Sequence, residues 1–220
     1  MIEDTAEPLP DEAKLALAYT QVPLRDPLRV FFELDLRLGR LVSATTEPML
    51  GQMRLAWWRE TLVKDEIDWP NGDHVLDGVK EHWQSRASSL LPLVDAWEHL
   101  LSDPPLAAED AIAFANGRRD ALTSVFELEA ADSAQFGIAD AAWHWALADL
   151  ASKVTLLEER EILIDLARDR ALGRLRLPRH AKGIAVIGAL GRRALERGGR
   201  PLMEGRGASL VAIRAAITGL

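Results

Sequence analysis

The chain has 220 residues, 48% hydrophobic and 27% charged, a balance that supports a full core in one domain and excludes a disordered chain. Its formal charge of −8 hides a division, since residues 1–170 hold 32 acids against 16 bases and residues 171–220 hold 10 bases against 2 acids. The acidic body argues against a nucleic-acid-binding role, while the basic segment is suited to phosphates or an anionic membrane surface, and the absence of cysteine excludes disulfides, thiolate catalysis and zinc–thiolate sites.

Met1 to Pro8 is acidic and lacks the basic and apolar regions of a secretory signal. Asp26-Pro27 reads as a cap with proline at the first helical position, opening a helix to about Val42. Leu28, Phe31, Leu34, Leu38 and Leu41 give it one apolar stripe. After a short turn at Ser43–Thr46, a second helix runs from Pro48 to about Lys64 and is expected to lie antiparallel beside the first. Asp73 caps a short helix ending near Gln84. Leu90 to Leu101 turns Leu90, Val94, Trp97 and Leu101 inward and stops at Asp103-Pro104-Pro105. Further helices are expected from Ala107 to about Ala130, from Ala139 to about Arg170 with a break near Lys153, from Gly183 to Arg197 and from Ala208 to Ile217. No run of alternating β-branched residues is long enough for a sheet. The expected fold is all-α: one domain over residues 1–220, of seven to nine helices, with an acidic body 1–170 and a basic segment 171–220.

The stretch from Pro27 to Val42, then Glu47-Pro48-Met49-Leu50-Gly51-Gln52-Met53-Arg54-Leu55-Ala56-Trp57-Trp58-Arg59-Glu60, resembles the squalene/phytoene synthase family. It is most similar to a degenerate branch that includes respiratory complex I assembly factors. Gly173-Arg174-Leu175-Arg176-Leu177-Pro178 is similar to another element of that family. The resemblance implies an isoprenoid-synthase-like helical bundle around a central cavity, with Arg54, Trp57, Trp58 and Arg174 as binding candidates. Active members join two prenyl diphosphates, and Mg²⁺ held by an Asp-x-x-x-Asp pair on each of two facing helices neutralises the leaving diphosphate.

Counted back from Trp58, the first pair falls on Gly39 and Ser43, neither a carboxylate, with Arg40 between them. Asp35 lies one turn earlier and reads as a surface acid near Arg37. Counted back from Gly173, the second pair falls on Asp165 and Asp169, which are either metal ligands or solvated acids. A rival alignment through Trp145-Ala146-Leu147-Ala148-Asp149-Leu150-Ala151 puts the metal position on Lys153 instead. Trp57 and Trp58 point about 100° apart. Either Trp57 packs inward with Met53 while Trp58 stacks on Arg54, or the pair lines a cavity for an isoprenoid or acyl chain. None of the five histidines sits at metal-ligand spacing, and surface or capping roles are expected for them.

Two functions follow from the resemblance. One is a non-catalytic member that binds a lipid or isoprenoid, or acts as an assembly factor for a protein partner. The other is an active prenyltransferase that uses Mg²⁺ at an altered site. A cytoplasmic location is expected, and the arginines at 192, 193, 197 and 200 give the basic segment a means of peripheral attachment to an anionic membrane.

Overall fold

A computed structural model describes residues 8–126, 132–170 and 177–218. Among them there are ten α-helices, four short 3₁₀ turns and no strand, so the all-α expectation holds. The helices are α1 (Asp11–Tyr19), α2 (Val22–Ser43), α3 (Pro48–Val63), α4 (His74–His82), α5 (Leu91–Glu98), α6 (Ala108–Ser124), α7 (Asp132–Lys153), α8 (Leu157–Asp169), α9 (Lys182–Glu196) and α10 (Gly207–Thr218). No helix among the described residues is long and apolar enough to cross a membrane.

The helix count exceeds the expected range because α1 leaves little trace in the sequence. Its buried face is Ala13, Ala16 and Leu17, too small to make a strong apolar stripe. The start of α2 also differs from the expectation. The helix begins at Val22 with Pro23 in its first turn, and Pro27 lies inside it. Asp26 therefore does not cap the helix; it sits on the surface 3.7 Å from Arg29. Pro27 is buried, and its carbonyl accepts a 3.1 Å hydrogen bond from the Trp83 indole. Asp73 does cap α4, accepting from the backbone N–H groups of Val75 and Leu76. The expected break near Lys153 is the Val154–Leu156 link between α7 and α8.

One helix runs through the middle of the molecule. Every residue of α7 from Ala141 to Ala151 is buried, including His144 and Asp149. A helix that is apolar around most of its circumference must be covered on all sides, and α6, α8 and α9 cover α7. The α7–α9 contact is close because its residues are small. A Cβ on Gly188 would come within 2.6 Å of the Ala141 Cβ, and one on Gly191 within 3.0 Å of the Trp145 Cα. At the other side of α9, a Cβ on Gly183 would lie 2.2 Å from the Ala16 carbonyl oxygen of α1.

The other half is built on α2. There α4 packs on α2, while α3 packs chiefly on α5 and touches α2 more lightly than the short Ser43–Thr46 turn implied. Arg59 ties α3 to α5, with Nε 2.6 Å from Asp95 and Nη2 2.5 Å from Glu98. The α5–α6 pair closes over Gly117, where a Cβ would meet the Pro92 carbonyl oxygen at 2.2 Å and the Ala96 Cβ at 2.8 Å. Helix propensity favours alanine over glycine by about 1 kcal/mol, but here the added methyl collides with backbone. Gly117→Ala is therefore expected to lower stability by about 1–3 kcal/mol, the usual range for overpacking, as read from urea unfolding. A stabilised variant would show that α5 and α6 are not in close contact.

Candidate functional site

A cavity of about 350 Å³ lies between α2 and α7, with walls from α1, α5 and α6. From α2 come Phe32, Asp35, Leu36, Gly39 and Ser43, which fall on one face at steps of three and four. From α7 come Trp145, Asp149 and Lys153, each one turn beyond the last. Trp97 of α5 and Phe114 of α6 complete an apolar wall. The cavity is lined mainly by apolar side chains with a few convergent polar ones, the usual make-up of a small-molecule site.

The polar floor is organised by Arg118 of α6, which is 1% exposed. Its Nη2 is 2.5 Å from Asp35 and its Nη1 2.9 Å from Asp149. Lys153 adds a second cation 2.9 Å from the same Asp149 oxygen, and the Trp97 indole donates to the other oxygen of Asp35 at 2.9 Å. The guanidinium also stacks 4.0 Å from the Trp145 ring centroid, with Phe114 at 5.1 Å and Trp97 at 5.6 Å. Among the described residues its Nε has no hydrogen-bond partner.

The electrostatics follow from this arrangement. Burial disfavours the charged form of Asp149, yet Arg118 and Lys153 outweigh it and hold the carboxyl below its ordinary value. Burial likewise works against the Arg118 cation, and Asp35 and Asp149 together raise its pKa. Glu12 of α1 sits at the rim of the cavity without such compensation. Burial pushes its carboxyl up, and the charge of Asp149 adds to the rise while Lys153 opposes it.

The structure brings some of the sequence candidates into this cavity and leaves others out. Gly39 and Ser43 line it, as does Lys153 of the rival alignment. Asp35 is not a surface acid, because the stripe of α2 that carries it turns inward and Arg118 compensates its charge. Asp165 and Asp169 are exposed on α8, where Asp165 pairs with Arg168 at 2.8 Å, and neither lines the cavity. Among the described residues no group of three or more metal-ligating side chains comes together.

The tryptophan pair is reversed from the packing expectation. Trp58 is buried with Leu55 and Leu62 along the inner stripe of α3, whereas Met53 and Trp57 face outward. Arg54 is exposed and, like Trp57 and Trp58, lies outside the cavity lining. Trp57 and Trp58 meet edge to face at 5.2 Å. Arg174 lies outside the described residues. His144, expected at a surface or a cap, is buried in α7 and donates from Nδ1 to the Asp140 carbonyl at 2.8 Å.

Arg118 is the residue that sequence reasoning missed. A signal for it was present, since it stands in line with Phe114, Ala111 and Leu122 on the buried face of α6, where an isolated arginine requires a buried partner. Which carboxylates answer it depends on α2 and α7, 83 and 31 residues away.

Arg118→Met removes the cation from between two buried carboxylates and is expected to lower unfolding free energy by about 3–5 kcal/mol. Stability should also respond to pH with two opposite signs. The depressed Asp149 pKa gives a contribution that is full above the unfolded value of about 3.9 and is lost as pH falls through the folded value. The raised Glu12 pKa works the other way, destabilising the fold as pH rises above about 4.3. Glu12→Gln should therefore raise the thermal midpoint at neutral pH and change it little near pH 4. A neutral-pH midpoint unchanged by Glu12→Gln would contradict the burial of that carboxylate.

The chain matches no protein-family model, and neither the curated proteins nor the solved structures hold a match to it.

Proposed function

We propose that the protein binds an isoprenoid or similar apolar chain in the α2–α7 cavity, as a non-catalytic relative of the squalene/phytoene synthases. The observation that carries this reading is the set of residues at the cavity. Two facing helices line it, as in the expected isoprenoid-synthase-like bundle. The α2 positions that correspond to the first carboxylate pair are Gly39 and Ser43, and α7 presents Lys153 at the rival metal position.

The residues present do not fit a magnesium cluster. Mg²⁺ needs several hard oxygen ligands in near-octahedral array. The cavity offers Asp35 and Asp149, whose charges Arg118 and Lys153 already answer, and Glu12, which joins no group of three metal-ligating side chains among the described residues. A fixed cation also opposes a divalent ion at the same place. Ionising a diphosphate needs several kcal/mol of charge stabilisation at the leaving group, and these side chains are committed to one another.

What the cavity does suit is a chain of carbon atoms. Phe32, Leu36, Trp97, Phe114 and Trp145 form the wall, and Arg40 and Lys153 are the cations of the lining outside the Arg118 floor. An assembly role would use the same cavity as a lipid-responsive element in a larger complex.

The test is calorimetric titration of the protein with farnesol and with farnesyl diphosphate. Saturable binding is expected, weakened about tenfold, or about 1.4 kcal/mol, by Leu36→Trp, which places an indole in the cavity. Incubation of farnesyl diphosphate with Mg²⁺ and the protein is expected to release no diphosphate. Mg²⁺-dependent release of diphosphate would overturn the non-catalytic reading in favour of an active prenyltransferase.

A further inference from the structure

Helix α10 buries its small residues and exposes its large ones. Ala208, Ala212, Ala215 and Ala216 are buried, and α10 packs on α9. Leu210, Ile213 and Ile217 remain 70%, 47% and 70% exposed. Steps of three and four place these three on one stripe. Burial of a leucine or isoleucine stabilises more than burial of an alanine. Packing within this chain would favour the opposite orientation, so the stripe is turned toward something outside it.

The surrounding charges indicate what that is. Arg206 stands immediately before α10, and Arg214 flanks the stripe on the helix itself. Both are exposed, and α10 carries no acid. Near the start of α10, Arg197 and Arg200 are exposed and pair with Glu204, at 3.8 and 3.7 Å. Arg192 pairs with Glu196, at 3.8 Å. Among the described residues, none of these arginines is paired with a carboxylate of residues 1–170. The exposed arginines therefore turn outward, answered in part by Glu196 and Glu204 of their own segment and not by the acidic body, whereas Arg193, expected among them, is half-buried and donates from Nη2 to the Glu204 carbonyl at 3.0 Å.

We propose that α10 lies flat on an anionic membrane surface. Leu210, Ile213 and Ile217 sink among the upper acyl chains, and Arg206 and Arg214 sit at the level of the lipid phosphates, with Arg197 and Arg200 beside them. The excess of acids in residues 1–170 is repelled by the same surface, which orients the molecule with α10 toward the lipid. A second copy of the chain fits less well. Where a two-fold axis crosses the stripe beside Ile213, Arg214 meets its own counterpart, and α10 has no carboxylate to answer either. This attachment uses a face separate from the cavity and stands whether or not the cavity binds a chain.

The experiment is sedimentation of the full chain with vesicles of phosphatidylcholine alone and of phosphatidylcholine mixed with phosphatidylglycerol, at low and high sodium chloride. Binding is expected to the anionic vesicles only, and to weaken with salt. Arg206→Gln and Arg214→Gln should each reduce partitioning by about fivefold. Leu210→Ser with Ile213→Ser should reduce it by about tenfold or more, with unchanged circular dichroism because both side chains are exposed. Failure to bind anionic vesicles overturns the proposal, as does equal binding to neutral ones. Binding that survives both sets of substitutions overturns it too. A dimer in size-exclusion chromatography that Ile213→Ser dissolves would identify a second copy as the occupant and also overturn it.

Discussion

The buried guanidinium of Arg118 is the constraint around which the cavity side of the molecule is arranged. Its bonds to Asp35 and Asp149 join α6 to α2 and to α7, three helices that lie far apart in the sequence. Removing three charges from water is expensive, and their mutual attraction offsets this only where the geometry is good and the remaining lone pairs are engaged. Asp35 meets both conditions, accepting from Arg118 on one oxygen and from the Trp97 indole on the other, whereas Arg118 and Lys153 share a single oxygen of Asp149. Three aromatic rings surround the guanidinium and supply the polarisable contact that water would otherwise provide.

The same arrangement bears on chemistry at the cavity. Two carboxylates on facing helices can gather a divalent metal or hold an arginine, and the two uses compete for the same oxygens. In this chain the arginine holds them. Glycine at residue 39 adds to the effect, because any Cβ there would press within 2.8 Å of the Trp97 indole, the group that orients Asp35. A side chain long enough to bring a carboxylate into the cavity from residue 39 would displace Trp97 first.

Close helix contacts carry the other half of the fold. Around α7 and α9 the interface is alanine and glycine, so the backbones approach until van der Waals contact, and little side-chain entropy is lost on burial. The large apolar residues are then distributed unevenly. Those of α2, α5 and α6 line or support the cavity, while those of α10 are left outside. An outward stripe on α10 and an apolar-walled cavity at α2–α7 are thus two results of one distribution of side-chain size.

The sequence by itself determined the helical class, most helix boundaries and the Asp73 cap, because periodicity, proline and capping residues act over a few positions of chain. It also determined that Gly39 and Ser43 cannot supply carboxylates. The tertiary structure decided what local pattern cannot carry. It turned Trp58 inward and Trp57 outward, made Asp35 a buried partner of Arg118 rather than a surface acid, and placed Asp149 and Lys153 in the cavity while Asp165 and Asp169 stayed in solvent. It drew α1 into the fold through an alanine face too small to register as a stripe. The physical reason is the same in each case. A helix can be read from its own residues, but which of its faces is buried, and which charge answers a buried charge, depends on neighbours that lie tens of residues away.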